Sequence, residues 1–128
     1  MSETRKDLYD KGMKIRRSVV GDEYVDKSLA TMDSFNDDLQ SMITEYCWGA
    51  VWGRDGLSKR ERSILNLGMI TALNRSHELK LHVRGALNNG RTRDEIKEVI
   101  LQTLVYCGAP AALEATRVAR EVFAEIDK

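Results

Sequence analysis

Apolar residues recur three or four positions apart along most of the chain, which is the spacing of an amphipathic α-helix. Thr4 is placed to cap a first helix that ends at Gly21, and a short second helix is predicted around Tyr24 to Met32. Ser34 is predicted to cap a third helix. The apolar stripe of this third helix consists of Phe35, Leu39, Met42, Ile43 and Tyr46.

The third helix is apolar on two sides if it continues past Cys47, because Trp48 and Trp52 then lie four residues apart on a different face. One side would pack on the helix's own core. The other side could face an adjacent subunit or a ligand pocket, and plain core burial is at least an equal alternative for each tryptophan.

Capping signals mark the second half of the chain. Residues 58–61 and 92–95 each place a hydroxyl residue three positions before a glutamate, which is the capping-box pattern. The first box opens a helix over about Ser58 to Leu73 that is apolar nearly all round, as in a helix that is central in the fold or buried in an oligomer. The second opens a helix that stops at Gly108, and Pro110 suits the first turn of a last helix.

No segment alternates like a strand, and no repeat or linker interrupts the chain. The pattern therefore predicts an all-α protein of six or seven helices, with residues 1–128 as one domain.

Twenty basic residues balance twenty acidic ones, which disfavours nucleic acid and anionic membranes as partners. No apolar run approaches the roughly 18 residues of a membrane span, and residues 1–7 lack a signal peptide's apolar segment. We expect a soluble, cytoplasmic protein.

The only two cysteines, Cys47 and Cys107, stand apart in apolar or aromatic surroundings. We interpret them as buried free thiols, with a redox pair as the alternative.

The stretch from Arg75 to Gly90 carries both histidines and places Glu78 one helical turn before His82. It is predicted to form a helix closed by Gly90. One stripe of this helix holds Arg75, Glu78, His82, Gly85, Ala86 and Asn89, and the apolar arc beside it holds Leu79, Val83, Ala86 and Leu87. We expect Gly85 and Ala86 to leave space above the backbone, so that His82 meets a pocket at the edge of the core.

Several mechanisms lack their motifs in this sequence. Phosphate-binding glycine loops, a nucleophile elbow and cysteine pairs at metal spacing are absent. His77 and His82 are five residues apart and do not face one site, which argues against a metal. What remains is acid–base chemistry at His82, with Glu78 orienting the ring and favouring the imidazolium. On the residues alone, a purely structural pair is at least as good an interpretation.

Several further motifs occur in a fixed order between positions 48 and 110. They are Trp48-Gly49-Ala50-Val51-Trp52-Gly53-Arg54-Asp55-Gly56-Leu57, Arg60-Glu61-Arg62-Ser63, Ala72-Leu73-Asn74-Arg75, Glu78-Leu79-Lys80-Leu81-His82, Asn88-Asn89-Gly90 with Glu95-Ile96, and Tyr106-Cys107-Gly108-Ala109-Pro110-Ala111. In these motifs the sequence resembles the 4-carboxymuconolactone decarboxylase family. The resemblance implies the helical fold of alkyl hydroperoxide reductase D and an oligomer, expected to be a hexamer built as a trimer of dimers.

Thiol peroxidases of that wider group have a Cys-x-x-Cys followed four residues later by a histidine. Aligned on His82, those cysteine positions are Arg75 and Glu78 here, so a thiol or peroxide reductase is disfavoured. The resemblance instead implies cofactor-independent decarboxylation of 4-carboxymuconolactone in the protocatechuate branch of aromatic catabolism.

For that reaction we expect His82 to deliver a proton and Glu78 to hold it. Arg54 and Arg75 would bind the substrate carboxylates, and Trp48 and Trp52 would line the site around the lactone ring. We expect no metal and no cofactor. Each arginine could instead have a structural role. Arg54 could cap or pair in the loop before the central helix, and Arg75 could be a solvated residue at a helix start. Three alternatives stay open for the protein: a lactone isomerase, a divergent thiol reductase, and a non-catalytic helical oligomerisation module.

Overall fold

Helices begin and end close to the capping signals of the sequence. The computed structural model describes residues 3–128, and within them there are seven α-helices, one π-helical segment and no strand. The elements are α1 (Arg5–Val20), α2 (Asp22–Ala30), α3 (Asp37–Met42), the π segment (Ile43–Val51), α4 (Lys59–Leu73), α5 (Ser76–Asn88), α6 (Arg93–Cys107) and α7 (Ala109–Ile126). The all-α prediction is confirmed.

The helix boundaries follow from local chemistry. Thr4 closes a capping box with Asp7 at the start of α1, and Thr92 closes another with Glu95 at the start of α6. Gly21 and Gly108, which end these two helices, each have φ of 94°. This conformation is strained for a residue with a side chain but not for glycine. None of the helices in the described part of the chain is both long and apolar enough to cross a membrane.

The start of the third helix differs from the prediction. Ser34 does not cap it, because the helix begins at Asp37 after Asn36. The carboxylate of Asp33 accepts the backbone N–H groups of Phe35 and Asn36 at 2.9 and 3.2 Å. Asp33 thus binds the N–H of Asn36, which a cap at Ser34 could otherwise have accepted, and the helix begins a few residues later.

Beyond Met42 the backbone continues as a π-helix instead of an α-helix. At its end, the N–H of Trp52 donates to the carbonyl of Cys47, five residues back, at 3.0 Å. Such segments are rare and often accompany functional sites. Apolar spacing alone did not reveal this change.

The chain divides into two compact units, one up to Ser58 and one from Lys59 to Lys128. In the first, α1 packs on the π segment, and Ile15 and Val19 of α1 and Trp48 of the π segment are buried. Arg16 is also buried; its guanidinium donates to Gln40 Oε1 at 3.1 Å and to Thr44 Oγ1 at 3.4 Å. Burial lowers the pKa of Arg16, and its two neutral partners satisfy part of its hydrogen-bonding capacity.

The second unit is a bundle of α4 to α7. Its core consists of Leu67, Leu79, Val83, Ala86, Ile96, Ala115, Val118, Ala119 and Val122. Ser76, the first residue of α5, donates to Glu114 of α7 at 2.8 Å and so ties the start of α5 to the bundle. The predicted apolar arc of this helix is confirmed, since Leu79, Val83 and Ala86 lie in the core and Leu87 packs against it.

Both cysteines are exposed in the chain, so the prediction of buried thiols is wrong. Cys47 lies in the π segment beside the exposed Tyr46, and Cys107 ends α6 beside the exposed Tyr106. Apolar neighbours in sequence indicated burial, but Cys107 follows exposed apolar residues, and Cys47 is exposed although Trp48 beside it is buried.

Candidate active site

Helix α5 positions the Glu78–His82 pair. The helix begins at Ser76, so Arg75 is its N-cap residue, with φ of −107° and ψ of 81°, and its side chain is exposed. Glu78 lies in the first turn and is exposed, whereas His82, one turn later, is partly buried. The carboxylate is therefore close to solvent and the imidazole close to the core.

The other end of the predicted stripe is packed. Gly85 and Ala86 are both buried, so the expectation that they leave open space is wrong. Asn89, just after the helix, donates from Nδ2 to the hydroxyl of Ser63 on α4 at 2.7 Å. The open part of the stripe is its N-terminal half, from Arg75 to His82.

Two opposing effects act on the proton affinity of His82. Burial lowers the pKa of the imidazole from its usual value near 6.5, and the negative charge of Glu78 partly offsets this by raising it. The first effect is the larger. His82 is therefore mainly neutral near pH 7 and can gain a proton when further negative charge arrives.

Asn66 of α4 is a neighbour of His82 that the sequence reasoning missed. Its side-chain Nδ2 lies 3.5 Å from His82 Nδ1, and both residues are partly buried. The sequence offered one signal, a lone amide between Leu65 and Leu67 in a helix that is otherwise largely apolar. Nothing in α4 or α5 alone showed that the amide faces the imidazole.

The tryptophans lie together in the first unit. Trp48 is buried and Trp52 is partly buried, and their ring centroids are 4.9 Å apart with planes inclined by 31°. This confirms that the third helical region has two apolar faces, since Leu39 and Tyr46 are exposed on its other side. The two tilted indoles are in contact, and Trp52 is the more exposed of the two.

The six residues predicted for the site thus fall into two groups. Arg75, Glu78 and His82 follow one another along the start of α5. Trp48 and Trp52 lie on and beside the π segment, and Arg54 is exposed in the turn that follows it. Among residues 3–128 no three histidine, cysteine, aspartate or glutamate side chains are grouped so that they could hold a metal ion.

Comparison with known proteins identifies the family. The sequence profile of the Carboxymuconolactone decarboxylase family matches residues 37–121, from the start of α3 to most of α7. The chain is 41% identical over 118 residues to the 4-carboxymuconolactone decarboxylase of Acinetobacter baylyi, covering 92% of this chain and 88% of that protein. It is 43% identical over 127 residues to the nitrosuccinic acid decarboxylase of Metarhizium robertsii, covering 98% and 89%.

A second 4-carboxymuconolactone decarboxylase matches a shorter part of the chain. Over 44 residues, which are 34% of this chain and 92% of the relative, the sequence is 46% identical to a 4-carboxymuconolactone decarboxylase of Pseudomonas putida. The agreement extends over nearly the whole chain for the two longer relatives and includes both helical units. The chain belongs to the carboxymuconolactone decarboxylase family.

Proposed function

We propose that this protein is a carboxy-lyase that converts 4-carboxymuconolactone to the β-ketoadipate enol-lactone without a cofactor, as a step of protocatechuate catabolism. The observation that carries the proposal is the 41% identity, over 92% of the chain, to an enzyme named for this substrate. The partly buried imidazole of His82 beside the carboxylate of Glu78 supplies the acid–base group that the reaction needs.

The substrate supplies its own electron sink. The carbon that loses carbon dioxide is attached to the ring double bond, which is conjugated with the lactone carbonyl. When the carbon–carbon bond breaks, its electron pair spreads through the ring onto the carbonyl oxygen as a dienolate. A proton added at the α carbon then gives the enol-lactone. The enzyme has to bind two carboxylates, stabilise the developing oxyanion and provide one proton.

His82 is proposed as the proton donor. Its pKa is lowered in the free enzyme, where burial outweighs the charge of Glu78. A bound substrate adds two negative charges to its surroundings, which favours the imidazolium form. Proton uptake at His82 is therefore linked to substrate binding, and the acid forms when the substrate is in place.

Arg54 and Arg75 are proposed to bind the substrate carboxylates. Both side chains are exposed, and a planar guanidinium can donate two parallel hydrogen bonds to one carboxylate. The neighbouring indoles of Trp48 and Trp52 are proposed to contact the lactone ring and to exclude water from it.

Nitrosuccinate is the second candidate substrate, because a relative named for its decarboxylation is 43% identical over 98% of this chain. Both molecules contain a succinate unit in which the carbon that loses carbon dioxide also bears an electron-accepting group. In nitrosuccinate the electron pair moves onto the nitro group as a nitronate, and protonation gives 3-nitropropionate. The same two carboxylate contacts and the same proton donor would serve both reactions.

A direct assay tests the proposal. Purified protein is mixed with each substrate separately; the ultraviolet absorbance of the lactone and the release of carbon dioxide from both compounds are recorded. We expect turnover of the lactone with a higher kcat/KM than that of nitrosuccinate. Turnover of nitrosuccinate alone would show that nitrosuccinate, and not the lactone, is the substrate. Turnover of neither compound would refute both proposed activities.

The pH dependence should report on His82. Since the protonated form is the donor, kcat/KM falls as the pH rises through the pKa of the free enzyme, and burial places that midpoint below 6.5. The midpoint for kcat lies at a higher pH, because the bound carboxylates raise the pKa of the imidazole. Initial rates over about pH 5 to 8 measure both midpoints. A kcat/KM that rises with pH in this range would contradict His82 as the acid.

We further propose that the protein forms a homo-oligomer, a hexamer of three dimers. Each unit leaves an apolar surface uncovered. In the first, the side chains of Phe35, Leu39, Met42 and Tyr46 are exposed. In the second, a groove of about 700 Å³ lies between α4 and α6, and the exposed side chains of Leu65, Met69 and Tyr106 line it. Apolar surface of this extent typically marks a protein interface.

The assembly should depend on the α4–α6 groove. Tyr106 is 80% exposed in the single chain, and Tyr106→Glu would place a charge in an apolar contact. We expect the wild type to elute with six times the mass of one 14.5 kDa chain and the variant to dissociate, as measured by size exclusion with light scattering. Lys97→Glu, an exposed charge reversal on α6 outside the groove, is the control and should leave the mass unchanged. A monomeric wild type would refute the proposal.

A further inference from the structure

A second groove lies between α6 and α7, and it has a volume of about 270 Å³. It shares no lining residue with the α4–α6 groove, because the two grooves are on opposite faces of α6. Its apolar lining includes Ile96 and Ala119 of the core, and Ile100 and Phe123, which pack against the core. None of the six residues predicted for the active site lines it. The α6–α7 groove is therefore a separate concave surface.

The charged side chains that line the α6–α7 groove are all positive. They are Arg93, Lys97 and Arg120, each exposed, and no described aspartate or glutamate lines the groove. Asp127 neutralises Arg93, accepting two hydrogen bonds at 2.6 and 3.0 Å. Within residues 3–128, neither Lys97 nor Arg120 forms an ion pair with a carboxylate. By contrast, the α4–α6 groove is lined by two glutamates and one arginine. Since the whole chain has no net charge, the positive excess is local to this groove.

The combination selects a small ligand with an apolar body and one negative end. A volume just below the roughly 300 Å³ of the smallest drug-sized sites suits a molecule of one or two rings. The guanidinium of Arg93 lies 4.6 Å from the centroid of the Phe123 ring and helps to fix that ring. Aromatic ligands pack well on such a ring, and the guanidinium of Arg120 can donate two parallel hydrogen bonds to a carboxylate. An inorganic anion would leave the apolar lining unused.

We propose that the α6–α7 groove binds a small aromatic carboxylate. Its rings pack on Ile100 and Phe123, and its carboxylate lies between Lys97 of α6 and Arg120 of α7. The ligand occupies a place away from Glu78 and His82, so this inference does not rest on the function proposed above.

Methyl NMR of the intact protein tests the site. The δ1 methyl groups of isoleucine are labelled with ¹³C, and 2-naphthoate is titrated. We expect saturable shifts at Ile96 and Ile100 and none at Ile64, which lines the α4–α6 groove. The neutral 2-naphthamide should bind at least about fivefold more weakly, the loss of one exposed charge pair. Absence of saturable shifts at Ile96 and Ile100, or equal affinity for the amide, would overturn the proposal.

A double variant tests the two cations. Lys97→Gln with Arg120→Gln should weaken 2-naphthoate binding about tenfold, since two exposed charge pairs are lost. Lys14→Gln with Lys59→Gln is the matched control: it removes the same charge from two exposed lysines that line neither groove. The control should keep the wild-type affinity, and circular dichroism should show both variants folded. An equal loss of affinity in the control would show an effect of net charge and refute the site. None of these measurements uses decarboxylase activity, so failure of the proposed function leaves their result unchanged.

Discussion

Replacing His82 with alanine is expected to lower kcat for lactone decarboxylation by about 10²- to 10⁴-fold, the usual contribution of a positioned acid–base group. The dienolate still forms in the substrate, but its α carbon must then take a proton from water. His82→Gln keeps much of the volume of the side chain and removes the titrating group, so it should be impaired to a similar degree. Initial rates at saturating lactone measure the loss.

His77 provides a matched control for this experiment. It lies on the same helix, is exposed, and is the only other histidine of the chain. His77→Ala should keep the wild-type kcat, and circular dichroism should show all three variants folded. Wild-type activity in His82→Ala would remove His82 from the mechanism and leave the family assignment in place.

A methyl group at Gly49 is expected to destabilise the first unit by about 3 kcal/mol or more. Gly49 lies in the π segment where it meets α1, and a Cβ there would lie only 2.3 Å from the carbonyl oxygen of Leu8. Because that oxygen belongs to the backbone of another helix, no side-chain rotation relieves the clash. Gly12→Ala should act in the same way, with its Cβ 2.0 Å from the carbonyl oxygen of Thr44.

Urea unfolding followed by tryptophan fluorescence measures this effect, because both tryptophans lie in the first unit. Gly56→Ala is the control: it lies in the first unit, in the turn before α4, and nothing lies within 4 Å of the added methyl group. An alanine there should leave the urea midpoint of the first unit unchanged. If Gly49→Ala unfolds at the same urea concentration as the wild type, the close approach of α1 and the π segment is wrong.

Most helix boundaries could be predicted because they depend on contacts a few residues apart. The capping boxes at Thr4 and Thr92 need only the next three residues. The breaks at Gly21 and Gly108 need only a residue that tolerates a positive φ. The capping box predicted at Ser58 stays a prediction, although α4 begins at Lys59, directly after it.

The candidate site was less predictable. The sequence placed Glu78 and His82 one turn apart, which any helix would do. It could not show that Asn66, sixteen residues earlier, lies against the ring, nor that burial outweighs the carboxylate in setting the pKa of His82. The burial of Gly85 and the exposure of Cys47 and Cys107 also depend on which faces meet in the folded chain.

By itself the sequence determined the all-α class, the helix boundaries of the second unit and the membership of the family, because spacing, caps and motifs are local properties of the chain. Only the tertiary structure decided the π segment, the close contact of α1 with Gly49, and the setting of His82 between Glu78 and Asn66. These depend on the packing of one helix against another, which sets both the shift in backbone hydrogen bonds and the polarity around the ring. Periodicity within a single helix contains no information about either.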